Sequence, residues 1–425
     1  MALPHDLIKR VVHEQVDEAR NHSKLAHVSR EGFAEASKQL TRPWIKAIMG
    51  VRRCGKSSFC HQLLRGKTYG YINFDDERLV SLKVSDLDSL LRILLEVTPD
   101  PQYLLLDEIQ NVKGWELFAN RLHRQGHNLL ITGSNSKLLS HDLATHLTGR
   151  HVSIELFPFS FSEYLEAKSI QWNSSKLETA KIQATILRNF ETYAIEGGFP
   201  EMVVGGYDAH YLRELYDKII GRDIVDRYSV KYGKTLREIA LYAFSNLGSK
   251  VSYHKIRKTF ELSSVHTVKN YLQYLEHAYL LTQVPAHSFK VKEQLRQARK
   301  LYTIDNGMTK ALSLKHTEDR GAHLENLVHQ ELKRRTSETF YWTSDSGSSE
   351  VDFAVKKGLT VDQLIQVSMN ISDPLTRARE LKGLVEAAQA TQCRKLLLLT
   401  WNETETIEQS KLKIRVMPVW RWLLE

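Results

Sequence analysis

Gly50-Val51-Arg52-Arg53-Cys54-Gly55-Lys56-Ser57 sets two glycines, a lysine and a hydroxyl at the spacing of a phosphate-binding loop. The glycines let the backbone wrap a phosphate, and the loop N–H groups then point inward at it. Lys56 is spaced to reach the β- and γ-phosphates, and the Ser57 hydroxyl to ligate Mg²⁺. Together with Ser58 these residues are the expected binding set for a nucleoside triphosphate. About fifty residues on, Leu104-Leu105-Leu106-Asp107-Glu108 is an apolar run ending in two acids. At a strand's end Asp107 would hold the metal, through water, and Glu108 would polarise the attacking water as general base. Asn135 or Ser134, after the run Leu129–Thr132, would touch the γ-phosphate or orient the water. Arg150 would stabilise transition-state charge, from its own subunit or a neighbour's, which leaves a homo-oligomer open.

These residues need a scaffold that brings strand ends together. Apolar runs at Ile45–Met49, Tyr69–Phe74, Tyr103–Leu106, Leu129–Thr132 and His151–Glu155 alternate with helical stretches, which predicts a parallel sheet covered by helices. At 425 residues the chain is long enough for about three domains. Hydrophobic content of 42% and charged content of 26% are ordinary for a globular protein. The three cysteines show no paired or metal-ligand spacing, which suits the reducing cytoplasm. No signal-peptide pattern opens the chain, and no apolar run reaches about 18 residues, so no membrane partner is expected. A net charge of +9 and pI near 9.2 favour an acidic partner, nucleic acid first.

In order and content these pieces resemble the AAA-type P-loop ATPases of bacteria and archaea whose ATPase domain is followed by a domain of unknown function. The likeness rests on Ile48–Ser57, on Tyr71–Arg78, on Leu106–Gln110 and on Thr132-Gly133-Ser134. Gly149-Arg150 with Leu156–Phe161, and Gly197-Gly198-Phe199-Pro200, match as well, so it covers most of the chain. It implies ATP and Mg²⁺ as cofactors, hydrolysis coupled to a conformational change, and sensor and arginine-finger roles near Asn135 and Arg150.

Beyond the core, Thr235–Asn246, Tyr253–Phe260 and Ser264–His277 have the lengths of a helix-turn-helix, with Leu280–Pro285 and Lys300–Ile304 as a wing. Residues 250–270 and 285–300 each carry a net charge of +4. Two such segments suit a phosphate-tracking surface, and Lys255, Arg257, Lys258, His266 and Lys269 are the candidate DNA contacts. In the last block, Glu325 on a helix, Asp352 on a strand, and Gln366 and Ser368 on the next resemble the restriction-endonuclease-like fold. Gln366 and Ser368 stand where that site has an acid and a lysine, so an inactive or weakened nuclease site is expected.

The expected architecture is α/β: an N-terminal helical segment (1–42), a P-loop AAA-type core (43–160), a helical lid (161–234), a winged-helix-like module (235–317) and a restriction-endonuclease-like domain (318–425). The expected function is Mg²⁺-dependent ATP hydrolysis coupled to DNA binding or remodelling. A nucleotide-operated switch acting on proteins, and an ATP-gated metal-dependent nuclease, are the alternatives.

Overall fold

The computed structural model describes residues 4–22, 28–136, 151–173, 177, 179–288, 292, 294, 297–315, 319–335 and 338–425. These form two compact units, Met1–Phe157 with His277–Tyr279, and Pro158–Glu276 with Leu280–Glu425.

In the first unit, β1 (Ile45–Met49), β2 (Tyr69–Asn73), β3 (Tyr103–Asp107), β4 (Leu129–Gly133) and β5 (His151–Glu155) form one sheet in the order β2-β3-β4-β1-β5. Every pairing is parallel. Strands β1 and β4 are buried along their whole length, as a sheet covered on both faces requires. Even Lys46 is buried on β1; its ammonium donates to the Arg42 carbonyl at 2.6 Å. The helix His5–His22 belongs to this unit. Ile8, Val11, Val12, Gln15, Val16 and Ala19 form its buried stripe, which packs on β2 and on the helix Leu87–Val97.

The second unit begins with the helices Phe161–Ala167 and Ala180–Glu196, the first opened by a reciprocal cap between Ser160 and Glu163. Helices Gly233–Phe244, Tyr253–Thr259 and Val265–His277 follow, with a small antiparallel sheet of β6 (Lys250–Val251), β8 (Arg299–Thr303) and β7 (Leu281–Val284). The last block is a six-stranded mixed sheet of β9 (Thr339–Thr343), β10 (Glu350–Lys357), β11 (Thr360–Val367), β12 (Leu396–Thr400), β13 (Glu405–Gln409) and β14 (Leu412–Pro418). Its order is β13-β14-β12-β11-β10-β9. Leu381, Leu384, Val385 and Ala388 of the helix Pro374–Thr391 close a core with Val351, Leu364 and Leu398. At the chain end the Arg335 guanidinium lies 4.4 Å over the Trp422 ring and donates to its carbonyl at 2.9 Å.

No helix among the described residues is long and apolar enough to cross a membrane.

Candidate functional site: a phosphate loop and a second, lysine-filled acid cluster

Strand β1 delivers the chain into the loop at Gly50, where a Cβ would lie 2.1 Å from the Leu156 carbonyl oxygen, so only glycine fits. Gly55 closes the loop at φ +95°, and the helix Lys56–Leu63 starts at once. Arg52 turns sideways to pair with Asp75 at 2.7 Å, which ties the loop to the end of β2. Asp76, next in that turn, accepts from the backbone and side chain of Arg78 and from Gln15. The stretch after β2 is therefore a brace for the loop.

Strand β3 ends two positions from β1 in the sheet, and its acids meet Lys56 there. The Lys56 ammonium is buried 3.0 Å from Glu108 Oε1 and donates to the Gly50 and Val51 carbonyls at 3.2 and 3.3 Å. Asp107 accepts hydrogen bonds from Thr132, from the Ser57 hydroxyl and from Tyr71 at 3.2 Å. The Thr132 hydroxyl also accepts the Glu108 N–H at 2.8 Å. Glu108 itself sits in the left-handed region at φ +52°, a conformation that costs a non-glycine residue about 1 kcal/mol and turns the side chain toward the loop.

Burial raises the pKa of Asp107, with the Glu108 charge adding to it. Burial works the same way on Glu108, but Lys56, Arg52 and a hydrogen bond from Gln110 win and hold it down at about 2. Two neighbouring acids are thus pushed in opposite directions, a division seen where groups have different chemical tasks. Ser57 and Asp107, already bonded to each other, are hard oxygen donors that suit Mg²⁺.

A second cluster lies in the other unit. Lys300 of β8 is 2% exposed and points into three acids. Its ammonium is 2.9 Å from Glu325 Oε1, 2.7 Å from Glu350 Oε1 and 2.8 Å from Asp352 Oδ1. Tyr302 donates to Glu325 Oε1 at 2.6 Å, and the Val367 N–H donates to Asp352 Oδ2 at 3.0 Å. Burial opposes the charge on Lys300, yet Asp352, Tyr302, Glu325 and Glu350 carry its pKa well above the ordinary lysine value. Burial, together with Asp352, pushes Glu325 up to about 7.

Residues 42–165 match the AAA domain family. Over 399 residues the chain is 34% identical to an uncharacterized protein of Methanocaldococcus jannaschii, spanning 89% of this chain and 88% of that one. The chain belongs to the AAA-type P-loop ATPases. Residues 187–319 and 320–422 match two domain families of unknown function. An uncharacterized protein of Haemophilus influenzae is 30% identical, over 94% of this chain and 99% of its own. Among solved structures, the Aeropyrum pernix ORC1 protein in complex with DNA overlaps 73% of this chain and 94% of its own at 13% identity and a TM-score of 0.31. AMPPCP-bound DnaA from Aquifex aeolicus overlaps 59% and 89%, at 16% identity and a TM-score of 0.26.

Of the expected nucleotide-site residues, Lys56 meets Glu108 and Ser57 meets Asp107, while Arg150 lies outside the described residues. Asn135 is buried just past β4, and Ser134 accepts from Gln110 at 3.4 Å. Thr132 and the pairing of Arg52 with Asp75 complete the site: Arg52 stands inside the loop motif, and Asp75 and Thr132 lie in stretches that carry the family resemblance, but residue order alone does not show what they bond.

One expectation needs correction. Lys300 is not part of a phosphate-tracking surface, because its ammonium is buried and spent on carboxylates. Gln366 is not free to present its carbonyl to a cation: Oε1 accepts the Asp352 N–H at 3.1 Å and Nε2 donates to Glu380 at 2.7 Å. Ser368 donates instead to the Asn370 carbonyl at 2.9 Å. Glu350 completes the acid cluster. Of the DNA candidates, Lys255, Lys258, His266 and Lys269 are exposed and Arg257 is half-buried.

Proposed function

We propose that this protein is a Mg²⁺-dependent ATPase in which Glu108 serves as general base, and that its cycle acts on DNA. The hydrolytic part rests on one observation: Lys56 is paired with Glu108 and Ser57 is bonded to Asp107 where the phosphate loop meets the end of β3. Lys56 would hold the β- and γ-phosphates, and Ser57 and Asp107 would hold Mg²⁺, which when bound offsets phosphate charge. A phosphate that takes over Lys56 removes the main partner holding Glu108 ionised. Burial then dominates, and the carboxylate's proton affinity rises toward that of a working base. Asn135 would orient the water, and Arg150 would act as arginine finger.

The same reading assigns 161–234 as a lid, 235–317 as a winged-helix-like module and 318–425 as a restriction-endonuclease-like domain without nuclease activity. What supports DNA contact is the exposed basic set Lys255, Lys258, His266 and Lys269 on two successive helices. What weighs against a nuclease is the Lys300 ammonium among the acids.

The test is ATP turnover with Mg²⁺ or EDTA, with and without duplex DNA at two salt concentrations. Turnover should need Mg²⁺ and vanish in Lys56→Ala and Asp107→Asn. Turnover that survives Lys56→Ala would overturn the assignment, and DNA binding that ignores salt would remove the DNA part.

A further inference from the structure

A lysine ammonium has three N–H donors. Lys300 donates to Glu325 at 2.9 Å and to Asp352 at 2.8 Å and forms an ion pair with Glu350 at 2.7 Å. The amine is thus ringed by three acids from two elements, the helix Arg320–Arg335 and β10.

A second lysine reinforces the arrangement. Lys250 of β6 is the cross-strand partner of Lys300, and two like charges directly opposite on neighbouring strands repel. Glu350 resolves the conflict by bridging them, with Oε2 on Lys250 at 2.6 Å and Oε1 on Lys300. The far side of Glu325 is closed by Gly248, where a Cβ would come within 2.8 Å of Oε2. The small sheet thus delivers an amine, a bridging lysine and a closed roof to one set of acids.

The likeness of this block to restriction-endonuclease-like domains implies a divalent metal at Glu325 and Asp352. The residues present do not fit one. The oxygens that would face a metal face Lys300, and the Gln366 carbonyl is occupied by the Asp352 N–H. We propose that Lys300 is a built-in cation that takes the place of a divalent metal among Glu325, Glu350 and Asp352 and so keeps the cluster closed to metal. The cluster then serves as a clasp between the β6–β8–β7 sheet and the C-terminal sheet, and a hard divalent cation enters only when the amine is removed. This inference stands apart from the ATPase reading.

The experiment measures Mn²⁺ binding by loss of the free-ion EPR signal, on the full chain without nucleotide. All proteins carry Asp107→Asn, so that the phosphate-loop site does not contribute. With Lys300 present, no Mn²⁺ dependent on Asp352 should bind. Lys300→Met should bind one equivalent with a Kd on the order of 10⁻⁴ M, as an oxygen-rich site of modest rigidity would. Adding Asp352→Asn should abolish that binding. Lys300→Met should also melt at a lower temperature in EDTA than its parent and recover part of the loss with Mn²⁺. If Lys300→Met does not fold, Lys300→Met with Glu350→Gln, which removes one acid together with the amine, takes its place under the same criteria. The proposal is overturned if the Lys300 protein binds Mn²⁺ in a way that Asp352→Asn removes. It is equally overturned if a folded amine-free variant binds none.

Discussion

The Lys56 ammonium and Glu108 Oε1 are paired at 3.0 Å inside the phosphate-loop site, so the residue expected to hold phosphate is held by the residue expected to activate water. Nucleotide binding must then break a buried ion pair, and Glu108 competes with phosphate for Lys56. Glu108→Gln keeps the shape and removes the competing charge. ATP should bind about tenfold more tightly, which corresponds to roughly 1.4 kcal/mol, while turnover falls by about 10² to 10⁴ through loss of the base. Fluorescent-nucleotide titration beside a phosphate-release assay checks both. Unchanged turnover would remove Glu108 from the base role.

Thr132 links the two acids, because its hydroxyl donates to Asp107 and accepts the Glu108 N–H at 2.8 Å. Thr132→Val keeps the volume and strands a buried N–H. We expect a loss of about 1–3 kcal/mol in stability, together with reduced turnover and nearly unchanged nucleotide affinity. Denaturant melts and steady-state kinetics separate these effects. A variant as stable and as active as the parent would deny the bridge.

How much of this was legible in the sequence follows from how local each interaction is. The loop Gly50–Ser57 and the strand end Asp107-Glu108 are contiguous, so their chemistry reads directly from residue order. The five parallel strands also read directly, because each is a short apolar run between helical stretches. Lys300 did not, since its partners Glu325, Glu350 and Asp352 lie 25 to 52 residues away and only the fold brings them to it. Counted by charge it belongs to a basic segment; placed by β8 it is a buried counter-ion. The bond from the Asp352 N–H to Gln366 is hidden for the same reason, because it depends on which backbone N–H lies across the sheet.

Gly197-Gly198-Phe199-Pro200 gains a physical reason in the second unit. Asp305 accepts the Gly198 N–H at 2.7 Å and the Met308 N–H at 3.1 Å, and burial pushes its carboxyl up to about 6. A Cβ on Gly198 would meet the Phe159 carbonyl oxygen at 2.2 Å. Gly198→Ala should therefore cost about 1–3 kcal/mol, because backbone must move to admit it. Thermal melts of the full chain check this. A cost below about 0.5 kcal/mol, typical of surface substitutions, would show that the joint yields freely.

The exposed lysines of the proposed DNA surface carry a quantitative expectation. Each phosphate contact contributes about 0.9 to the slope of log affinity against log salt. Lys255→Ala, Lys258→Ala and Lys269→Ala should each lower that slope by about one if they touch phosphate, whatever the DNA sequence. Fluorescence anisotropy over a salt series reads it. Slopes equal to the parent's in all three would place the DNA contact elsewhere or nowhere.

His329 supplies the pH prediction. It lies one helical turn after Glu325, stacked 4.4 Å from Tyr302 and 6.1 Å from Phe353, and neither ring nitrogen has a hydrogen-bond partner among the described residues. Burial, helped by Lys333, lowers its pKa to about 3. In the unfolded chain His329 takes up a proton near pH 6.5, whereas in the fold it stays neutral down to about 3. The unfolded state therefore binds more protons through that window, and stability falls as pH drops, by at most about 1.4 kcal/mol per unit from this one group. His329→Phe keeps the stack and removes the titration. Its stability should exceed the parent's by a margin that widens from pH 7 to pH 4, measured by urea unfolding at each pH. A margin that stays constant would mean His329 is already protonated, or partnered, in the fold.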